Sequence, residues 1–157
     1  MDTSSFFQYA DEVGQPAEIV FMDGCGAIEW SRLLEYTTRI PFRKGDIVIE
    51  QGQRDRVLLI VLEGQLETVV GTGRRRRRLA INPPGSVIGE LGFLDGRVRS
   101  ANVVAETDGE LLMLPFTAFE AMAEAHPQVA HRMLLDMARI LASRLRTTTT
   151  RLETGGN

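Results

Sequence analysis

Cysteine and histidine are scarce in this chain of 157 residues, which contains one cysteine and two histidines. Cys25 cannot form a disulfide within the chain, and a lone thiol cannot build a cysteine zinc site. His126 and His131 are five positions apart, so they do not share a helical face, and they are too few for most His-rich metal centres. We therefore expect no metal and no cofactor.

Long hydrophobic runs and a strong charge imbalance are also missing. No apolar run approaches the roughly 20 residues of a membrane-spanning helix, and the first four residues, Met-Asp-Thr-Ser, lack the basic start of a signal peptide. Twenty-one acidic and eighteen basic residues give a net charge of −3, which is not typical of a general nucleic-acid binder. We expect a cytoplasmic protein.

The chain does have the composition of one ordinary globular domain, with 43% hydrophobic and 25% charged residues. Residues 1–27 carry the weakest pattern, and we predict an N-terminal segment of unclear structure there. A helix is predicted from Ala27 to Ile40, because apolar residues follow a helical stripe and Pro41 stops it. The domain is predicted to span residues 28–152, and a disordered tail is predicted at 153–157.

The segment from Phe42 to Pro115 consists of short β-rich runs separated by glycine turns. Turn residues recur at about eight to twelve positions, a spacing typical of an antiparallel roll or barrel. The predicted strands are 46–50, 57–62, 65–70, 76–82, 101–106 and 110–114. The predicted fold class is α+β: an antiparallel β-roll, jelly-roll-like as a double-stranded β-helix, flanked by the N-terminal helix and a C-terminal helical pair with one long helix.

The C-terminal part of the chain has a helical pattern. Thr117 to Ala125 is predicted as a short helix, and Pro127 lies in the first turn of a long helix that runs to about Leu152. Apolar positions of the long helix recur in steps of three and four, at Leu134, Met137, Leu141, Leu145, Thr148 and Leu152. Because one small roll cannot cover so long a helix, we expect its distal half to pack on another chain in a homodimer.

The most informative stretch is 88–101, Ile-Gly-Glu-Leu-Gly-Phe-Leu-Asp-Gly-Arg-Val-Arg-Ser-Ala. It is interpreted as a strand, a tight glycine, one turn of helix, a glycine loop and a return strand. Gly89 lets the backbone pass close to a ligand because glycine has no Cβ. The helical turn at Glu90 to Phe93 has free N–H groups, which favour an anion.

Arg99 begins the return strand, where its guanidinium is expected to point into the roll. A buried arginine without a partner is costly, whereas a phosphodiester with one negative charge matches its fork with two hydrogen bonds. Glu90 supplies a carboxylate that can accept a hydrogen bond from a sugar hydroxyl. Together these residues indicate a site for one phosphate and one ribose.

This stretch resembles the phosphate-binding cassette of the cyclic-nucleotide-binding domain family, whose pattern is approximately Phe-Gly-Glu-Leu-Ala, a variable loop and Arg-Ser/Thr-Ala. The chain keeps Gly-Glu-Leu at 89–91 and Arg-Ser-Ala at 99–101, but it has Ile88 for the aromatic residue and Gly92 for the small residue. The resemblance covers about 33–152. It includes the motifs Arg43-Lys44-Gly45-Asp46, Glu50-Gln51-Gly52, Leu62-Glu63-Gly64 and Pro84-Gly85.

The resemblance implies roles for the cassette residues. Glu90 would accept from the ribose 2′-hydroxyl, and Arg99 and Ser100 would hold the cyclic phosphate. Backbone N–H groups near Gly89 and Leu91 would complete the phosphate cradle. Ala101, directly after Ser100, matches the last residue of the family pattern and is also a predicted ligand-binding residue.

The resemblance also implies a contact to the base and a choice of ligand. In the family's bacterial catabolite-activator branch, a Thr-Ser pair on the long helix meets the base across a dimer. Thr148 and Thr149 take that place here, although four consecutive threonines leave the register open by one position. Ser100 fits the bacterial Arg-Ser-Ala form, which implies a 3′,5′-cyclic nucleotide with cAMP preferred over cGMP.

Ordinary structural roles compete with these interpretations. Arg99 could be a solvated strand residue and Glu90 a helix-terminal carboxylate, in which case the chain is a ligand-free structural or dimerisation relic of the same fold. The run Arg74–Arg78 is predicted to be a solvated hairpin tip. The alternative is a basic patch that docks on an acidic partner or an anionic lipid surface.

The function predicted from these residues is a cyclic-nucleotide-binding regulatory module that signals by moving its C-terminal helix, and not an enzyme. Both histidines lie in the helical tail, so a cupin-type metal site has no ligands, and no Gly-x-Ser-x-Gly, His-Glu-x-x-His or P-loop motif occurs. Only five residues follow Leu152, so a helix-turn-helix of about 20 residues does not fit and we expect no direct DNA binding.

Such a module reports to an unknown effector protein or a fused output domain. The segment from Phe21-Met22-Asp23 through Ala27-Ile28-Glu29-Trp30 resembles the junction found where these domains follow a STAS domain, including on anion-transporter tails. The alternative function is therefore a regulatory fragment or subunit of a larger STAS- or transporter-type protein.

Overall fold

The structure, a computed structural model, describes residues 19–154. Two of the expectations above, the N-terminal segment and the disordered tail, fall largely outside these residues. The elements are α1 (Ala27–Glu35), β1 (Thr38–Phe42), β2 (Ile47–Ile49), β3 (Val57–Glu63), β4 (Leu66–Val70), β5 (Arg77–Asn82), β6 (Val87–Ile88), α2 (Glu90–Asp95), β7 (Asn102–Ala105), β8 (Gly109–Pro115), α3 (Phe116–Ala125) and α4 (Pro127–Thr154).

The strands form two antiparallel four-stranded sheets. The first has the strand order β1-β8-β3-β6 and the second the order β2-β7-β4-β5. Their facing surfaces enclose the interior of a β-roll, and the helices lie outside it, which confirms the predicted α+β fold class. Neither sheet closes on itself, so the roll is not a closed barrel.

The first sheet is buried on both of its faces because helices cover the side that faces away from the roll. In β3, Leu58 and Ile60 belong to the helix-side core, whereas Leu59 and Val61 belong to the core inside the roll. Alternate side chains of a strand point to opposite faces. Apolar residues on both faces of β3 explain why this strand is a continuous hydrophobic run in the sequence.

The predicted boundary between the first helix and the first strand was wrong. The sequence pattern predicted a helix to Ile40, but α1 ends at Glu35 and the next residues form strand β1. Thr38 pairs with Met113 of β8, and Pro41 is accommodated because β1 lies at the edge of its sheet. A proline at an edge strand is as compatible with the sequence as a proline that ends a helix.

The turn before α1 is part of the domain core. Phe21 and Met22, which the predicted boundaries assign to the N-terminal segment, are each 1% exposed. The Met22 N–H donates to the buried Asp136 carboxylate of α4 over 3.0 Å, and Arg132 and Arg139 pair with the same carboxylate. This contact fastens the turn to α4.

The long helix α4 has two halves with different surroundings. The proximal half is packed in the helix-side core through Val129, Ala130, Met133, Met137 and Ile140. The distal half carries more exposed side chains and continues to Thr154, two residues beyond the predicted end. Among the helices of residues 19–154, none is long and apolar enough to cross a membrane.

The arginine run lies at the exposed end of the β4–β5 hairpin, as predicted. A short 3-10 turn at Gly73–Arg75 connects the strands. Arg76 forms an ion pair with Glu67, and Arg78 pairs with Glu106 over 3.3 Å. Two of the five arginines are therefore held against the second sheet.

Candidate functional site

A cavity of about 280 Å³ opens between the second sheet, α2 and the distal half of α4. Three walls enclose it: the cassette around α2 and the start of β7, the inner face of β4 and β5, and one side of α4. Seven of the eight predicted site residues line it: Gly89, Glu90, Leu91, Arg99, Ser100, Ala101 and Thr148. The structure thus brings the cassette and Thr148 of α4, which are far apart in sequence, to one place.

Gly89 makes the close packing of the cassette possible. It has φ +80°, the left-handed conformation that favours glycine, and caps the N-terminus of α2. A Cβ at this position would collide with the Arg99 guanidinium and would lie 3.1 Å from the Val57 carbonyl oxygen. A side chain at position 89 would therefore displace the arginine that the cassette is built around.

Arg99 points into the roll, as predicted, and is 4% exposed. Its guanidinium donates to the carbonyl oxygens of Gly89 over 2.7 Å and Val57 over 2.6 Å, and it forms an ion pair with Asp55. The Nε–H of Arg99 is buried and has no hydrogen-bond partner among the described residues. A buried donor without an acceptor is costly, so this N–H is a candidate for a hydrogen bond to an anion.

The backbone on both sides of Arg99 is fixed by the neighbouring turn. The Arg99 N–H donates to the Gln53 carbonyl over 2.8 Å, and the Gly52 N–H donates to the Arg99 carbonyl over 2.9 Å. The guanidinium is therefore held at its wall of the cavity before any ligand arrives. Such preorganisation reduces the entropic cost of binding.

Glu90 is buried at the start of α2 and contacts a residue that the sequence analysis missed. Arg144 of α4 donates to its carboxylate over 2.6 Å and to the Val87 carbonyl over 3.2 Å. A lone arginine within a long helix carries no pattern that distinguishes it from a solvated residue. Only the fold shows that Arg144 lies over the cassette.

The other cassette residues differ in exposure. Ala101 is buried, whereas Ser100 and Leu91 are exposed at the rim of the cavity. A small buried residue at position 101 leaves room for the guanidinium two positions earlier. Ser100 lines the cavity together with Arg99.

The consecutive threonines of α4 differ in whether they line the cavity. Thr147 and Thr148 line the cavity of their own chain, but Thr149 is exposed and does not. The hydroxyls of Thr147, Thr148 and Thr149 each donate to the carbonyl oxygen four residues earlier. The prediction for Thr148 and Thr149 concerns a contact across a dimer, and it stays a prediction.

A second cavity of about 460 Å³ lies between the turn before α1, α1 and the first sheet. Its walls are mainly apolar and include Trp30, Leu34 and Leu112, together with Cys25. Burial raises the pKa of the Cys25 thiol, and the nearby Arg132 lowers it by a smaller amount. This cavity lacks the arrangement of buried charges that the first cavity has.

Acidic, cysteine and histidine side chains do not converge in the described part of the chain. No group of three or more of them is placed to hold a metal ion there. The chemistry that the first cavity offers is recognition by paired charges: Arg99 beside Asp55, and Glu90 beside Arg144.

Comparison with known proteins matches the same region. The model of the cyclic nucleotide-binding domain family matches residues 39–126, which include the roll and the whole cassette. The chain is 35% identical over 114 residues to the cyclic AMP receptor protein of Thermus thermophilus, a match that covers 72% of this chain and 51% of the relative.

Other relatives are much longer proteins. The chain is 32% identical over 117 residues to glutaminase 2 of Bradyrhizobium diazoefficiens, which covers 74% of this chain and 18% of that protein. The chain thus spans about half the length of the Thermus protein and less than a fifth of the glutaminase.

Solved structures share the fold. The Thermus thermophilus catabolite activator protein superposes with a TM-score of 0.73 at 32% identity, over 85% of this chain and 61% of that one. A cyclic nucleotide-binding domain from Methylobacillus flagellatus superposes with a TM-score of 0.76 at 21% identity, over 83% and 74% of the two chains.

Proposed function

The chain belongs to the cyclic nucleotide-binding domain family, and from that premise we propose that it binds a 3′,5′-cyclic nucleotide in the cavity beside α2 and prefers cAMP to cGMP. It is a regulatory domain, and in this proposal it has no chemistry of its own. The ligand is held by charge pairing and hydrogen bonds, and its binding is reported by a change in the position of α4.

The buried Nε–H of Arg99 is the observation that carries this proposal. Arg99 lines the cavity, and its Nε–H is buried and without an acceptor among residues 19–154. The two N–H groups of Nη2, the nitrogen on the same side as Nε, donate to Asp55 and to the Val57 carbonyl oxygen. A cyclic phosphate has one negative charge and two free oxygens, so one oxygen can accept from Nε, and the second can accept from Nη2 when the phosphate displaces Asp55. Ser100 and the N–H groups of the first turn of α2 supply further donors to the same phosphate.

Glu90 binds the sugar in this proposal. Its carboxylate is buried, and one oxygen already accepts from Arg144 over 2.6 Å. A carboxylate has several acceptor positions, so the ribose 2′-hydroxyl can donate to Glu90 without displacing Arg144. A 2′-deoxy ligand leaves that acceptor unused.

Helix α4 is the reporting element. It touches the cassette through Arg144 and the cavity through Thr147 and Thr148, so a ligand changes contacts that the helix makes. In this proposal α4 has two positions in equilibrium, and a ligand shifts that equilibrium only by the difference between its affinities for the two. Contacts of the ligand with both the cassette and α4 provide that difference.

The name of the Thermus relative, a cyclic AMP receptor, and Ser100 in the cassette support cAMP as the preferred ligand. Titration calorimetry of the purified chain with cAMP and cGMP tests the proposal. We expect micromolar or tighter binding of cAMP and weaker binding of cGMP, with 5′-AMP as the control that has the same base and sugar but no cyclic phosphate. Absence of heat with both cyclic nucleotides would identify the chain as a ligand-free relic of the fold.

A further inference from the structure

We infer that Thr68 of β4 and Asn82 of β5 recognise the base of the nucleotide and select adenine. This inference rests on the proposed function, because it assigns the part of the cavity that the phosphate and the ribose leave free. Both residues line the cavity, and both lie on the inner face of the second sheet. They are polar residues on a face whose other members are largely apolar.

The two side chains form a buried hydrogen-bonded unit. Asn82 is 2% exposed, and its Nδ2 donates to the Thr68 hydroxyl oxygen over 2.9 Å and to the Leu66 carbonyl over 3.4 Å. A carbonyl oxygen only accepts, so the contact with Leu66 fixes which end of the Asn82 amide faces the strand. The amide nitrogen uses both of its hydrogens on the strand beside it.

This pairing determines what remains for a ligand. The Thr68 oxygen accepts from Asn82, so its own O–H hydrogen is free to donate. Asn82 Oδ1 accepts from no donor among the described residues. The unit therefore presents one donor and one acceptor side by side, in an otherwise apolar wall that includes Leu79 and Ala80.

The position of the unit favours contact with the base. Arg99 and Glu90 lie on the cassette wall, where the phosphate and ribose are bound in the proposed function. Thr68 and Asn82 lie on β4 and β5, which line the same cavity as the cassette and α4. The remaining part of a nucleotide held by its phosphate and ribose is the base.

A donor beside an acceptor matches one edge of adenine better than the corresponding edge of guanine. Adenine offers the N7 acceptor next to the N6 amino donor, whereas guanine offers two acceptors, N7 and O6, on that edge. The Thr68 O–H donates to N7, and Asn82 Oδ1 accepts from N6. With guanine, the Asn82 oxygen would face the O6 oxygen, and two buried acceptors would lack a donor.

Ligand analogues test this inference on the unaltered chain. We expect 7-deaza-cAMP, which lacks the N7 acceptor, to bind about tenfold more weakly than cAMP. The cyclic 3′,5′-monophosphate of purine riboside lacks the N6 amino group, and we expect a similar loss. Each good pair of contacts to a base edge discriminates by roughly 1–3 kcal/mol, and about 1.4 kcal/mol is a tenfold change.

The variant Thr68→Val identifies the protein group involved. Valine matches the shape of threonine and suits a strand, but it cannot donate. We expect Thr68→Val to bind cAMP about tenfold more weakly and to bind cAMP and 7-deaza-cAMP equally. Thr37→Val is the matched control, since the Thr37 hydroxyl donates to the Leu34 carbonyl away from the cavity. It should keep the full preference for cAMP over 7-deaza-cAMP.

The possible outcomes separate this inference from the proposed function. If the unaltered chain binds cAMP but does not distinguish it from 7-deaza-cAMP or cGMP, the base-recognition role is wrong and the proposed function stands. If Thr68→Val still distinguishes cAMP from 7-deaza-cAMP, another residue reads N7. If the unaltered chain binds no cyclic nucleotide, both are wrong.

Discussion

The guanidinium of Arg99 has a full positive charge where only 4% of the residue reaches solvent. Two carbonyl oxygens and the half-buried Asp55 compensate for part of its lost hydration. The Nε–H remains without an acceptor among the described residues, and in the proposed function an oxygen of the cyclic phosphate accepts from it. A structural ion pair alone would not require the glycines that surround it at positions 89 and 92.

Replacement of Arg99 by alanine tests this assignment at a single residue. We expect Arg99→Ala to lower cAMP affinity by about 3–5 kcal/mol, because it leaves a desolvated phosphate unpaired, which corresponds to roughly a hundredfold to a few-thousandfold. Arg99→Lys should also bind poorly, since an ammonium group cannot make the bidentate contact. Calorimetric titration measures both.

Arg97→Ala is the matched control for this experiment. Arg97 lies two positions before Arg99 in the same loop, but its side chain is 85% exposed. The Arg97→Ala substitution removes the same charge from the chain without changing the cavity. The affinity for cAMP should therefore stay within about threefold of that of the unaltered chain. A loss below threefold in Arg99→Ala itself would contradict the assignment.

The cassette residues could be predicted from the sequence, but their partners could not. Gly89, Glu90 and Arg99 occur in one short motif whose spacing implies a strand, a turn and a return strand. Arg144, Thr68 and Asn82 lie outside that motif, and each is an ordinary residue for its helix or strand. Their contact with the cavity depends on how the sheets and α4 pack, which no local pattern encodes.

At the scale of elements, α4 combines a firmly packed half with a loosely held one. The proximal half buries five apolar residues and accepts the Met22 N–H at Asp136. In the distal half, Arg144 makes the contacts to the cassette, through Glu90 and the Val87 carbonyl. A helix held in this way can move at one end while the other stays in place.

Arg144→Ala should destabilise the distal half of α4 and leave the proximal half unchanged. Its ion pair with Glu90 is partly exposed on the arginine side, so we assign it only about 1 kcal/mol, or about a fivefold change in population. We therefore expect amide hydrogen exchange at residues 145–149 to become about fivefold faster without ligand. Exchange in the proximal half should not change.

Arg139→Ala provides the comparison on the same helix. Arg139 pairs with Asp136 three residues earlier and makes its contact away from the cassette. Equal exchange at residues 145–149 in Arg144→Ala and Arg139→Ala would show that the Glu90 contact does not hold the distal helix.

The wrong prediction of the C-terminal end of α1 also has its cause in the pairing of whole elements. The stretch Thr37 to Ile40 has residues that suit a strand, and Pro41 fits either a helix end or an edge strand. Its strand conformation is decided by pairing with β8, more than 60 residues later in the chain. Strands bounded by glycine turns, such as β3 and β4, were located within one residue because their ends are fixed locally.

At the scale of the whole molecule, α4 presents an apolar face that its own domain covers only in part. Leu134, Leu141 and Leu145 follow one another at seven and four positions, so they share one side of the helix. Leu134 is 42% and Leu145 68% exposed. The core-facing residues Met133, Met137 and Ile140 lie on a different side.

This face supports the proposed homodimer, in which the stripe meets its counterpart on a second copy of the chain. We expect the chain with saturating cAMP to sediment as a dimer at high concentration, and Leu145→Glu to sediment as a monomer, because a carboxylate in the seam would be buried unpaired. Ile28→Glu is the matched control: Ile28 is 69% exposed on α1, so it loses as much exposed apolar surface but should remain dimeric. A monomeric unaltered chain, or a dimeric Leu145→Glu chain, would mean that another surface or none mediates association, and that α4 reports the ligand within a single copy.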